Sequence, residues 1–149
     1  MYKCILVVLD GTLGAERALA WVRQLARCSH AGVHLLMVHP PAKTVISGGQ
    51  TVAYAHQIDE SVRSESLAYL EHVAAELRAD GITVRTEARV GGAEAVRATA
   101  REIGADLIAI APTPPRGLRR LLALGFTPRI LREPPGPVLV AGPRSLRSA

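Results

Sequence analysis

The sequence predicts an α/β fold in which a parallel sheet carries helices on both faces. Three observations point there. Short apolar runs recur along the chain at Lys3–Leu9, Val33–His39, Ile82–Val90, Asp106–Ala111 and Pro137–Ala141. The longer stretches between the first four runs repeat their apolar residues at helical spacing instead. Strands that alternate with helices imply parallel pairing through right-handed crossovers.

Taken in order, KCILVVL (Lys3–Leu9) is a continuous apolar, β-branched run closed by Asp10-Gly11-Thr12, a strand buried on both faces followed by a turn. Leu13–Cys28 places Ala15, Ala18, Leu19, Val22, Leu25 and Ala26 on one helical stripe, with Thr12 available as its cap. VHLLMVH (Val33–His39) is a second buried strand. Pro40–Thr51, with its Pro-Pro and Gly-Gly pairs, reads as the longest surface loop. A long helix is expected over Ala55–Asp80, with a stripe at Ile58, Val62, Tyr69, Val73 and Leu77 and with Gly81 ending it. Ile82–Val90 alternates more and is more polar, as an edge or near-edge strand does. After the Gly91-Gly92 turn, Ala93, Val96, Ala100 and Ile103 mark a third helix closed by Gly104. DLIAIA (Asp106–Ala111) is the fourth strand, Phe126–Arg132 a short helix and PVLVA (Pro137–Ala141) the fifth strand. Gly142–Ala149 is a polar tail.

At 149 residues and 48% hydrophobic composition the chain supports one domain with a real core, and the composition argues against disorder. Aromatic residues make up only 3%, so Ala, Val, Leu and Ile must build that core. The same scarcity argues against a stacking platform for single-stranded nucleic acid. The net charge is +5, with much of the excess at Arg116, Arg119, Arg120, Arg129, Arg132, Arg144 and Arg147. Such a surface can meet an anionic ligand, but solvated arginines are the readier account, and no nucleic-acid motif gathers them. Cys4 and Cys28 lack CxxC spacing and are expected to be small buried thiols. No apolar run reaches the length of a membrane span, and MYKCILVVLDG runs straight into Asp10 as a strand does, so no membrane association and a cytoplasmic location are expected.

In an open α/β sheet ligands bind beyond the carboxyl ends of the strands. Those ends are Asp10–Thr12, Val38–Pro40, Val90–Gly92 and the stretch from Ala111 onward. The stretch Ala111–Thr127, APTPPRGLRRLLALGFT, leaves a buried strand and leads into a helix, with Arg116, Arg119 and Arg120 between. Guanidinium groups beside a helix start suit a phosphate. Asp10 fits two roles, a ribose-hydroxyl acceptor and a turn or cap residue. His30, His34, His39, His56 and His72 show no metal spacing, and neither a metal site nor a catalytic constellation can be placed. There is no GxGxxG, GxxxxGK[ST] or GxSxG sequence.

Together these pieces resemble the universal stress protein family. ILVVLDGTLGAERALAWV is similar to its first strand, Asp-Gly-Ser/Thr turn and first helix. ARVGGAEAVRATAREIGADLIAIA is similar to its Val-Gly turn, amphipathic helix and fourth strand. GLRRLLALGFTPRILREPPGPVLVAGP resembles its loop, short helix and terminal strand. The resemblance implies one domain over 1–143, with 144–149 as tail, and an adenine-nucleotide alpha-hydrolase-like fold. The expected sheet has five strands in the order 3-2-1-4-5. It also implies a cytoplasmic, dimeric stress-response protein that binds and does not turn over substrate, pairing through Val138, Leu139 and Val140.

Nucleotide-binding members of the family carry Gly-x2-Gly-x9-Gly-Ser/Thr after the fourth strand. Those positions fall here on Ala111, Pro114, Leu124 and Gly125. Pro114 has no amide hydrogen and Leu124 resists positive φ, so the phosphate cradle is degraded. Candidate nucleotide contacts by this resemblance are Asp10, Gly11 and Thr12 near the ribose, Val38 near adenine, and Gly91, Ala111, Arg116, Gly117, Gly125 and Thr127. With the cradle degraded, the resemblance implies first a nucleotide-insensitive interaction protein with no certain cofactor; the alternative is a sensor of ATP, ADP or AMP with a divergent phosphate loop, and a weak ATPase is a distant third. Ser47-Gly48-Gly49-Gln50-Thr51 resembles the pyrophosphate loop of ATP-splitting ligases, but it follows the wrong strand and lacks the aspartate, which leaves it a flexible loop.

Overall fold

The structure, a computed structural model, describes residues 1–43, 45–112 and 126–142. In chain order it contains β1 (Cys4–Leu9), α1 (Arg17–Ser29), β2 (Gly32–His39), β3 (Val45–Ser47), β4 (Gln50–Ala53) and α2 (Ala55–Ala79). Then come β5 (Val84–Val90), α3 (Ala93–Glu102), β6 (Leu107–Ile110), α4 (Phe126–Arg132) and β7 (Val138–Val140). Five strands form one parallel sheet in the order β5-β2-β1-β6-β7, the expected 3-2-1-4-5 once β3 and β4 are set aside. Val7 of the central strand pairs with Leu35 on one side and Ala109 on the other.

Because side chains alternate along a strand, β1 feeds two cores. Ile5, Val7 and Leu9 pack with Leu35, Leu107 and Ala109 beneath α1 (Ala18, Val22, Ala26) and α2 (Leu70, Val73, Ala74, Leu77). Leu6 and Val8 pack with Leu36, Ile108 and Ile110 beneath α3 (Ala93, Val96, Ala100) and Ile130 of α4. Each fully buried Leu or Ile contributes about 1.5–3 kcal/mol, and the aliphatic composition is what lets both layers pack closely. Asp106 ties the edges of β1 and β6 together, accepting from Lys3 N at 2.7 Å and Cys4 N at 3.2 Å.

Four expectations change. Pro40–Thr51 is not a plain loop: β3 and β4 form an antiparallel hairpin closed by Gly48-Gly49, both at positive φ, the two-residue turn such hairpins favour. The helix read from Leu13 begins at Arg17, because Thr12 Oγ1 caps an intervening turn by accepting from Ala15 N at 3.2 Å. The buried stripe of α2 begins only at Ser66, with Ile58, Val62 and Tyr69 half-buried. Cys28 is exposed and Cys4 half-buried, because Cys28 lies off the Ala18–Val22–Ala26 face of α1. No helix among the described residues is long and apolar enough to cross a membrane.

Candidate functional site

The strand order reverses between β1 and β6, so the crevice of this fold opens over their carboxyl ends. Asp10 leaves β1 into a turn in which its carboxylate accepts from Thr12 N at 2.9 Å and from the Thr12 hydroxyl. The backbone bends there through Gly11 at φ +80, next to the end of Met37. Val38 and His39 end β2 beside this turn, both half-buried, and Gly91 N donates to His39 O at 2.8 Å. Gly91 has φ +141, and an added Cβ would lie 2.9 Å from the Ala95 side chain, so only glycine fits between β5 and α3. Ala111 is buried just after β6.

Of the residues singled out by sequence, Asp10, Gly11, Thr12, Val38, Gly91 and Ala111 therefore lie at the carboxyl ends of the strands. Arg116, Gly117 and Gly125 lie outside the described residues, as do Arg119, Arg120, Pro114, Leu124 and the tail 144–149. Thr127 falls within α4, but its side chain is outside the description too.

The structure adds neighbours that sequence reasoning did not single out. Arg17, in the first turn of α1, donates from Nη2 to the carbonyl of Pro112 at 2.8 Å, bridging α1 to the exit of β6. Its Nε is buried and has no hydrogen-bond partner among the described residues. His39 Nε2 is in the same condition, while its Nδ1 faces Pro40 O at 3.3 Å. An unmet buried donor costs about 1–3 kcal/mol, so such groups are uncommon in a settled core. Tyr69 reaches from α2 to donate to Glu16 Oε1 at 2.7 Å. Burial first, then that bond and the charges of Glu16 and Asp10, push its phenol well above the usual tyrosine value.

No group of three or more His, Cys, Asp or Glu side chains among the described residues could hold a metal ion. A shallow cavity of about 270 Å³ lies at the opposite end of the sheet, lined by Arg27, His30, Asp80 and Thr83 among others. It is remote from the reversal point, where the fold itself places ligands, and we assign it no role.

The fold is that of a doubly wound α/β protein, with a topological switch point between β1 and β6. The profile of the universal stress protein family matches residues 1–142, and the chain is a member of that family. A universal stress protein family member from Burkholderia pseudomallei is 27% identical, with a TM-score of 0.69 over 93% of this chain and 95% of that one. A universal stress protein in complex with cAMP is 21% identical, with a TM-score of 0.67 over 95% and 97% of the two chains. One from Archaeoglobus fulgidus in complex with dAMP is 18% identical, with a TM-score of 0.57 over 93% and 97%. No curated protein matches the chain in sequence.

Proposed function

We propose that this universal stress protein acts in the cytoplasm by binding, without turnover, and that its ligand is an adenine nucleotide. The observation that carries this reading is the placement of the Asp10-Gly11-Thr12 turn, Val38 and Ala111 together at the carboxyl ends of adjacent strands, beside the reversal of strand order. The group fits these residues in kind: a carboxylate acceptor for a ribose hydroxyl and an apolar strand end for a base. The cAMP and dAMP complexes of proteins with this fold support adenine nucleotides as the ligand class. ATP, ADP and AMP are the forms to try first.

The test is mass spectrometry of small molecules released from the purified protein, followed by titration. Stoichiometric nucleotide, with about 2.7 kcal/mol of added stability at 100 times the dissociation constant, supports the reading. A protein that purifies empty and ignores ATP, ADP and AMP in thermal-shift titration refutes it.

A second reading, a nucleotide-insensitive interaction protein, is favoured by Pro114 and Leu124 standing where nucleotide-binding relatives carry glycine. Both readings share a homodimer formed along β7. That strand is an edge of the sheet, with Val138 and Leu139 half-buried and Val140 44% exposed. An unpaired apolar edge invites a second strand. Val140→Lys is expected to convert a sedimenting dimer to monomer, and a variant that sediments like the parent removes β7 from the interface.

A further inference from the structure

We propose that Arg17 is a ligand contact, the cation that receives the phosphate of the nucleotide at the carboxyl end of the sheet. The inference rests on the nucleotide reading above and assigns the phosphate to an element, α1, that the sequence pattern did not implicate.

Among the described residues, Arg17, Arg23, Arg89 and Arg97 are the arginines not classed as exposed. Three of them are neutralised. Arg23 faces Asp80 at 2.8 Å, Arg89 pairs with Glu87 and Glu102, and Arg97 pairs with Glu94. Arg17 has no carboxylate partner among the described residues, and its recorded side-chain bond is to the neutral carbonyl of Pro112. A half-buried cation with only a carbonyl is electrostatically incomplete.

The pattern of unmet polar atoms points the same way. Three buried side-chain nitrogens lack a hydrogen-bond partner among the described residues: Arg17 Nε, Arg23 Nε and His39 Nε2. Arg23 Nε lies 2.8 Å from Asp80 Oδ2 and so is satisfied electrostatically. The other two both lie at the carboxyl end of the sheet, where β2 ends and where Arg17 meets the exit of β6; with Nδ1 donating to Pro40 O, a neutral His39 leaves Nε2 as an acceptor, so Arg17 Nε is the one that seeks an anion.

The chemistry selects an oxyanion. A guanidinium presents five N–H donors in a rigid fork that matches phosphate. Pro112 O uses one such donor, and Nε–H remains for an anionic oxygen. By the family resemblance, Pro114 removes one amide that a glycine-rich loop would supply, and Leu124 resists the positive φ that such a loop uses. A charged donor from α1 compensates, since hydrogen bonds with an ionised partner are roughly twice as strong as neutral ones.

The experiment titrates adenosine, AMP and inorganic phosphate into the parent protein, Arg17→Gln and Arg17→Lys by calorimetry. Glutamine can keep a donor for Pro112 O while removing the charge; lysine keeps the charge and loses the fork. Circular dichroism verifies that each variant is folded. The expected result is that Arg17→Gln binds AMP at least tenfold more weakly and adenosine within twofold of the parent. Arg17→Lys is expected to lie between, and phosphate alone to bind far more weakly than AMP. Unchanged AMP affinity in Arg17→Gln overturns the proposal while leaving the nucleotide reading in place. Equal losses for adenosine and AMP also overturn it, making Arg17 a positioning residue for the β6 exit. Phosphate binding as tightly as AMP, with adenosine unbound, keeps Arg17 as an anion contact and overturns the nucleotide reading. A parent protein that binds none of the three, and ATP and ADP no better, overturns both.

Discussion

Replacing Arg97 with methionine is expected to loosen α4 from the sheet, and the structure sets the size of the effect. Arg97 is only 7% exposed, on the inner face of α3. Its Nε donates to Glu133 O at 3.0 Å, its Nη2 to Arg129 O and its Nη1 to Glu94. The two carbonyls belong to the carboxyl end of α4, where a cation complements the helix dipole. A hydrogen bond to a charged group contributes about 1.5–3 kcal/mol. Part of that sum is offset, because burying a guanidinium is itself costly. The Glu94 side chain is 80% exposed, so that ion pair adds under about 1 kcal/mol. The net expected loss for Arg97→Met is about 2–4 kcal/mol. With a urea m-value of about 2 kcal/mol/M, the unfolding midpoint falls by about 1–2 M. Glu94→Ala serves as the control and is expected to move the midpoint by less than about 0.5 M. The reasoning is refuted if Arg97→Met shifts the midpoint by less than that control.

Two further substitutions test the carboxyl end of the sheet. Gly91→Ala combines a φ of +141 with a Cβ 2.9 Å from Ala95, and strain plus overpacking cost about 2–4 kcal/mol. For a chain of this size that is about 5–15 °C in Tm. Gly92→Ala, with φ −138 and open space around it, is expected to cost under about 1 kcal/mol; similar losses at both positions would contradict the steric argument. Tyr69 is expected to ionise well above the usual tyrosine value in an ultraviolet titration, because burial and Glu16 hold its proton. Its folded value is raised, so its contribution to stability is complete below the unfolded value of about 10. That contribution is lost as pH rises further, and Tyr69→Phe should flatten the alkaline decline. An unaltered decline would assign it to other groups.

The fold was legible because two periodicities state it. Runs such as KCILVVL and DLIAIA leave no solvent face, while Ala18–Val22–Ala26 leaves a single helical stripe, and their alternation dictates a parallel sheet. The hairpin was misread because VIS and QTVA are too short to declare alternation, although Gly48-Gly49 between them was a usable signal. Arg97 could have been found. With Ala93, Val96 and Ala100 it occupies the spacing of one buried face, and a charge there must bond to something. Glu16 and Tyr69 could not have been paired, being 53 residues apart and joined only by the packing of α1 and α2 on one face. Arg17 escaped for a related reason: an arginine in the first turn of a helix looks solvated until the exit of β6 is placed beside it.

The two ends of the sheet are built to different rules. At the amino end, three helices close in the same way before entering a strand. His30, Gly81 and Gly104 each take positive φ, and the following residue donates back to the helix: Ala31 to Ala26 O, Ile82 to Leu77 O and Ala105 to Ala100 O. These are Schellman-type closures, and Asp106 adds two acceptors for the start of β1. The carboxyl end carries the constrained Gly91, the Asp10-Gly11-Thr12 turn and the unmet nitrogens of Arg17 and His39. Substitutions at the amino end should therefore change stability with little effect on ligand affinity. Arg17→Gln should do the reverse, because a side chain whose Nε finds no partner among the described residues contributes little to holding the fold.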